Sequence, residues 1–186
     1  MGIAGCNNKF WQEIIDKYYP AGSHLRDIYI GHCRSVADEA LDIARKKNLP
    51  LDANEIEAAA MLHDIGIFRT HAPSIFCEGD APYICHGLIG GDLLRRDDAP
   101  EWTARVAERH TGAGLTSDEI ARQNLPLPHQ DFLPETLLEK LICYADKFYS
   151  KSGDGRRKDV GRVRRGLEAF GDDTLARFDK LHKLFS

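Results

Sequence analysis

The chain has 186 residues, 42% hydrophobic and 29% charged, with a formal net charge of −4. That length carries one domain with a sizeable core, and the composition is that of an ordinary globular protein rather than a disordered or fibrous one. No run of about 18 apolar residues is present, so no transmembrane helix is expected. The start of the chain lacks the basic and apolar regions of a secretory signal. Gly2 would suit lipid attachment, but Cys6 stands where that motif requires Ser or Thr. Cys6, Cys33, Cys77, Cys85 and Cys143 are scattered, with no C-x-x-C pair. They read as reduced thiols of a cytoplasmic protein, and no thiolate zinc site is expected.

Apolar spacing is helical nearly throughout. From His32 to Lys47, Cys33, Val36, Ala37, Ala40, Leu41 and Ala44 trace one buried face, closed by Asn48 and Pro50. Asp52 predicts the N-cap of the next helix, with Glu55 three residues on. That helix runs through Ala58–Leu62 to His63 and Asp64 and ends at Gly66. Residues 67–82 predict a loop, 84–96 a helix, and Pro100 the start of another that reaches His110. Residues 111–134, rich in Gly and Pro, predict a long loop with a short helix at 117–123. A loop of that length suits a lid or substrate wall, or simple packing on the bundle. Helical spacing resumes at Leu138, Leu141, Ile142, Ala145 and Tyr149, and two more helices are expected at 156–170 and 173–185. Sustained strand alternation is absent. The expectation is an all-α bundle of five to eight helices, one domain over 1–186 with a helical extension at 151–186.

Charge is uneven along the chain. Residues 1–150 hold 15 basic and 23 acidic groups, and residues 151–186 hold 10 and 6. The basic end reads first as a solvated helix surface, and second as a face for a phosphate-bearing ligand.

Six residues carry the chemistry: His32, His63, Asp64, His86, His110 and Asp146. Asp146 lies beside the stripe of Ile142, Ala145 and Tyr149, where a carboxylate is costly unless paired or bound to a metal. A carboxylate adjacent to a histidine at a helix end can bridge two ions while the imidazole holds one. Mixed nitrogen and oxygen donors suit divalent Fe, Mn, Zn or Co better than a dedicated Ca²⁺ or Mg²⁺ cage. Two adjacent cations lower the pKa of a shared water and clamp the oxygens of a phosphoryl transfer. Taken singly, each of the six is more often a structural residue than a ligand.

The ordered set His32, His63-Asp64 and Asp146, with the string His63-Asp64-Ile65-Gly66 and the helix Leu137–Lys147, resembles the HD superfamily of metal-dependent phosphohydrolases. The added His86 and His110 resemble its two-metal subset. The string Arg109-His110-Thr111-Gly112 is most similar to HD-type diadenosine tetraphosphate hydrolases, and no GYP motif is present. The resemblance covers about residues 30–150 and implies an HD-domain helical bundle. It implies that His32, His63, Asp64 and Asp146 hold one metal, and that Asp64 bridges to a second held by His86 and His110. A metal-bridging hydroxide would attack phosphorus in line. Fe and Mn lead the candidate ions, with Zn, Co, Ni and Mg also possible.

Around this set, Arg69, His71, Arg109, Lys147 and Lys151 are candidate substrate-binding residues, and Asp64, Arg69 and Lys147 candidate catalytic ones. Relatives carry a lysine three residues after the aspartate, here Ile67, and Arg69 could supply that charge. The expected activity is hydrolysis of a phosphomonoester or phosphoanhydride, of a nucleotide in the first instance. A nucleotide-binding sensor and a di-iron oxygenase are the alternatives. The expected partner is a small phosphorylated substrate, with no membrane or nucleic acid, in a monomer or homodimer.

Overall fold

The computed structural model describes residues 9–152 and 155–186. The expectations about Gly2 and Cys6 lie outside the described residues. Among the described residues nine α-helices run in chain order: α1 (Phe10–Tyr18), α2 (His24–Lys47), α3 (Ala53–Leu62), α4 (His86–Arg96), α5 (Glu101–Arg109), α6 (Ser117–Arg122), α7 (Leu137–Asp146), α8 (Val160–Glu168) and α9 (Asp172–Phe185). This is an all-α architecture among the described residues, with more helices than the sequence pattern predicted. The expected loop at 67–82 also holds a small antiparallel sheet of β1 (His71–Ala72) and β2 (Cys77–Glu78). Two-residue strands are too short for side-chain alternation to announce them.

Local chemistry explains most helix limits. Ser23 caps α2, accepting from the backbone N–H of Arg26, so that helix starts well before His32. It ends at Asn48, whose left-handed backbone (φ 50°) closes the last turn. Asp52 caps α3, accepting from the N–H groups of Asn54 and Glu55. Thr116 with Glu119, and Thr136 with Glu139, form reciprocal capping boxes on α6 and α7.

The long helix α2 lies against α3 and α7, and α5 packs on α3, α4 and α7. One cluster of buried side chains joins α2, α3, α7, α8 and α9 through Val36, Ile56, Ile142, Val163 and Phe178. A second joins α1, α2, α3 and α4 through Trp11, Ile15, Tyr29, Met61 and Leu94. Each large apolar side chain so buried contributes about 1.5–3 kcal/mol before entropy is subtracted. The 111–134 segment is tied down rather than loose. Leu115 and Phe132 exchange backbone bonds, and Arg177 of α9 donates to the carbonyls of Ala113 and Gly114. No helix among the described residues is long and apolar enough to cross a membrane. Cys33, Cys77, Cys85 and Cys143 are free thiols.

Candidate metal centre

Five helices deliver the six residues to one point. His32 comes from the middle of α2. His63 and Asp64 follow the last turn of α3, His86 opens α4, His110 follows α5, and Asp146 ends α7. All six are buried. Helix ends leave backbone carbonyls without intrahelical partners, and two of the imidazoles use them. Nδ1 of His63 donates to the Ala60 carbonyl at 2.6 Å, and Nδ1 of His110 to Ala107 at 2.7 Å. Nδ1 of His86 donates to the Tyr83 carbonyl, at 2.7 Å, in the 3₁₀ turn that precedes α4. With a proton held at Nδ1, each ring turns Nε2 inward, the atom left to take a metal.

Close approach of the chain makes this possible. A Cβ on Gly66 would lie 2.3 Å from the His86 carbonyl oxygen, and one on Gly87 would lie 2.6 Å from that of Ala107. Only glycine lets the turn after Asp64 touch α4, and α4 touch α5.

The inner atoms divide into two groups that share Asp64. On one side, His32 Nε2 lies 3.2 Å from Asp64 Oδ2 and 3.0 Å from Asp146 Oδ1, and His63 Nε2 lies 3.1 Å from Asp64 Oδ2. On the other, the Nε2 atoms of His86 and His110 each lie 3.4 Å from Asp64 Oδ1, and 3.0 Å from each other. Two Nε2 lone pairs facing each other at that distance repel unless a positive charge lies between them. Among the described residues, Asp64 Oδ1, His63 Nε2 and His32 Nε2 are buried without a hydrogen-bond partner, and Asp64 Oδ2 meets the Lys151 ammonium as a strong ion pair. Orphaned atoms of this kind are rare in a native interior. Here they converge, and four nitrogen with two carboxylate donors suit divalent transition ions. The residues therefore form two overlapping groups, sharing Asp64, each with donors that could hold a metal ion.

The electrostatics distinguish the two groups. Burial opposes a charged His63, but Asp64 and Cys33 outweigh it and hold the imidazole well above its usual range, so a cation on its Nε2 would displace a proton. Burial works against ionisation of Asp64, but His63 and Lys151 outweigh it and hold the carboxyl well below its usual range. Burial likewise opposes ionised Asp146, where the Lys147 ammonium prevails. Burial, with His110 beside it, pushes His86 down to about 3, and burial also lowers His110. Both therefore stand as neutral donors at physiological pH.

A model of the HD domain matches residues 29–150, more than half of the chain. The chain belongs to the HD-domain family. It is 35% identical over 179 residues to a tRNA (cytidine(56)-2′-O)-methyltransferase of Thermoplasma volcanium, a match covering 94% of this chain and 46% of that protein. An enzyme of the same name from Picrophilus torridus is 36% identical over 67% of the chain and 32% of its own length. An uncharacterized protein of Methanocaldococcus jannaschii is 37% identical, with 63% of each covered. The chain thus spans less than two thirds of the relatives it matches. No solved structure matches it.

The HD-domain scaffold treats the flanking candidates unequally. Lys147 Nζ lies 2.7 Å from Asp146 Oδ2 and donates to the His110 carbonyl at 3.0 Å. Lys151 Nζ lies 2.6 Å from Asp64 Oδ2. Both line a cavity of about 740 Å³ that opens from Asp146. Arg69, Arg109 and His71 are not brought there. Arg69 ends the 3₁₀ turn that buries Ile67, and its exposed side chain lines a different cavity, with Glu78, Asp80 and Asp92. Arg109 precedes His110, but neighbours on a helix diverge by about 100°. Its guanidinium donates to the Leu133 carbonyl at 2.6 Å and pairs with Glu135 at 3.0 Å. His71 is exposed in β1, opposite Glu78.

Tyr83 belongs to the site and was not anticipated. Its carbonyl orients His86, its ring lies 4.8 Å from that imidazole, and Lys151 Nζ sits 5.9 Å from the same ring. Its position three residues before His86, matching Ala60 before His63 and Ala107 before His110, is the signal that could have found it.

Proposed function

We propose that this HD-domain chain hydrolyses a phosphoester or phosphoanhydride bond of a nucleotide, using two divalent cations held by the six histidine and aspartate ligands. The observation that carries the reading is the pair of overlapping ligand groups hinged on Asp64, opening onto a lysine-lined cavity. Bound there, two divalent cations supply an acidified water and neutralise charge on phosphate oxygens.

The protein's own residues do the rest. His32, His63 and Asp146 hold one position and His86 and His110 the other, with Asp64 common to both. Lys147 and Lys151 bring ammonium groups to the cavity side of the ligands, where phosphate oxygens enter. His63, His86 and His110 keep their Nδ1 protons on backbone carbonyls. None of these three therefore serves as the acid for the leaving group.

Methyl transfer is not proposed for this chain, because the shared region is under half of the Thermoplasma enzyme. The tRNA named for two relatives does widen the substrate search, from free nucleotides to phosphorylated RNA ends. The test is turnover by metal-stripped protein reloaded with Mn²⁺, or anaerobically with Fe²⁺. The panel holds mononucleotides, dinucleoside polyphosphates, cyclic nucleotides and short phosphorylated RNAs. Release of one product from one substrate class is the expected result. Silence across the panel, with two metals bound per chain, would overturn it and direct attention to oxygen consumption.

A further inference from the structure

The cavity beside the metal centre has an inner and an outer set of cations. The inner ones, Lys147 and Lys151, are committed to Asp146 and Asp64. The outer ones, Lys158 and Arg162, line the same cavity. Among the described residues neither makes an ion pair. Lys158 Nζ has only the Lys147 carbonyl, at 3.4 Å.

Three other arginines of the same C-terminal segment are paired. Arg157 grips Glu39 with its forked guanidinium, Arg164 pairs with Asp179, and Arg177 with Glu119. Those pairs tie elements together. The nearby carboxylate Asp159 is occupied in capping α8, through the N–H of Arg162. Lys158 is half-buried, and that desolvation lowers its pKa. Asp146 partly offsets that burial, while Lys147, Lys151 and Arg162 crowd the same space with positive charge, so an anionic ligand there would be stabilised.

The cavity volume is of the size that takes a nucleotide-sized ligand rather than one phosphate. Its remaining wall includes Tyr83, Tyr149, Val163 and Leu167, suited to a base or sugar. Resting on the hydrolase reading above, we propose that Lys158 and Arg162 form a subsite for a second phosphoryl group. The substrate class is then a nucleotide carrying two or more phosphoryl groups, one at the metal centre and the next on this outer pair.

The test is equilibrium binding by calorimetry, on the full chain, both Mn²⁺-loaded and metal-free. The probes are AMP and the hydrolysis-resistant α,β-methylene analogue of ADP. The wild-type chain is expected to bind the diphosphate analogue about tenfold or more tighter than AMP. The pair Lys158→Met and Arg162→Gln should remove that preference while leaving AMP affinity in place. Arg165→Gln, which removes a charge from α8 outside the cavity lining, should keep it. A wild-type chain without the preference, or a double variant that retains it, would overturn the subsite. Thermal melting of each variant separates loss of the site from loss of the fold. The hydrolase reading fails by a different readout, absent turnover in metal-replete protein, and the metal-free titration still reports on the outer pair.

Discussion

Lys151 Nζ lies 2.6 Å from Oδ2 of Asp64, the carboxylate oxygen that His32 and His63 also approach. The lysine comes from beyond the end of α7, so the segment after the last ligand helix folds back over the centre. Its side chain keeps one edge on the cavity. Lys151→Ala is expected to lower kcat/KM by about 10²-fold, the loss typical of one preorganised charged donor, with metal stoichiometry unchanged. Arg69→Ala, on a different cavity, should stay within about twofold of wild type. Steady-state kinetics with metal analysis of the same samples decides both, and full turnover in the lysine variant would remove it from the site.

The facing Nε2 atoms of His86 and His110 lead to a second expectation. Each ring alone is a weak site, and with one gone the position on the Asp64 Oδ1 side loses half of its nitrogen donors. His86→Ala should retain one tightly bound metal per chain instead of two and lose turnover. The fold should survive, because among hydrogen-bond partners only the Tyr83 carbonyl and the facing His110 Nε2 lose a contact. Elemental analysis alongside thermal melting checks this. Two metals retained at full activity would mean that the pair is not a ligand position.

Gly66 carries the contact between the turn after Asp64 and α4. A methyl group there meets backbone atoms of His86 and Gly90 at 2.3 and 2.5 Å, and backbone cannot step aside. Gly66→Ala should cost about 1–3 kcal/mol of stability and weaken metal binding in the same protein, by shifting His86 relative to Asp64. Urea unfolding of the metal-free variant gives the first number and a metal titration the second. Wild-type values in both would show that the two segments separate at no cost.

Glu119 is the acidic counterpart of Arg177 and joins α6 to α9. It accepts from Thr116 N–H at 2.8 Å and from Thr174 Oγ1 at 3.1 Å, and Arg177 reaches both of its oxygens at 2.8 Å. Burial opposes its ionisation, but Arg177 and Thr116 prevail and hold it below its ordinary 4.5. Its folded pKa lies below the unfolded one, so its contribution is complete above that value and is lost as pH falls. Glu119→Gln should cost about 2–3 kcal/mol at neutral pH and progressively less below pH 4.5. Denaturation at several pH values measures the difference, and a difference independent of pH would assign the role to packing rather than charge.

The sequence by itself determined the helices and the six ligand candidates. Both signals are short in range: apolar residues repeat every three or four positions, and His63, Asp64, His110 and Asp146 sit where helices stop. Even so, α1 and the β1–β2 pair went unread. The first is a short helix whose buried Trp11, Ile14 and Ile15 gain meaning only against α2 and α3. The second is held by backbone pairing that side chains do not encode.

Only the tertiary structure decided which charges meet the centre. Arg109 is the chain neighbour of a ligand yet turns to Leu133 and Glu135, because one residue of helix rotates a side chain by about 100°. Arg69 follows Asp64 closely but is carried to another cavity by the turn that buries Ile67. Lys158 and Arg162, which read first as part of a solvated basic end, line the cavity beside Lys151, because the chain after α7 returns across it. Sequence separation sets what a helix can present, and packing of distant segments sets what it faces.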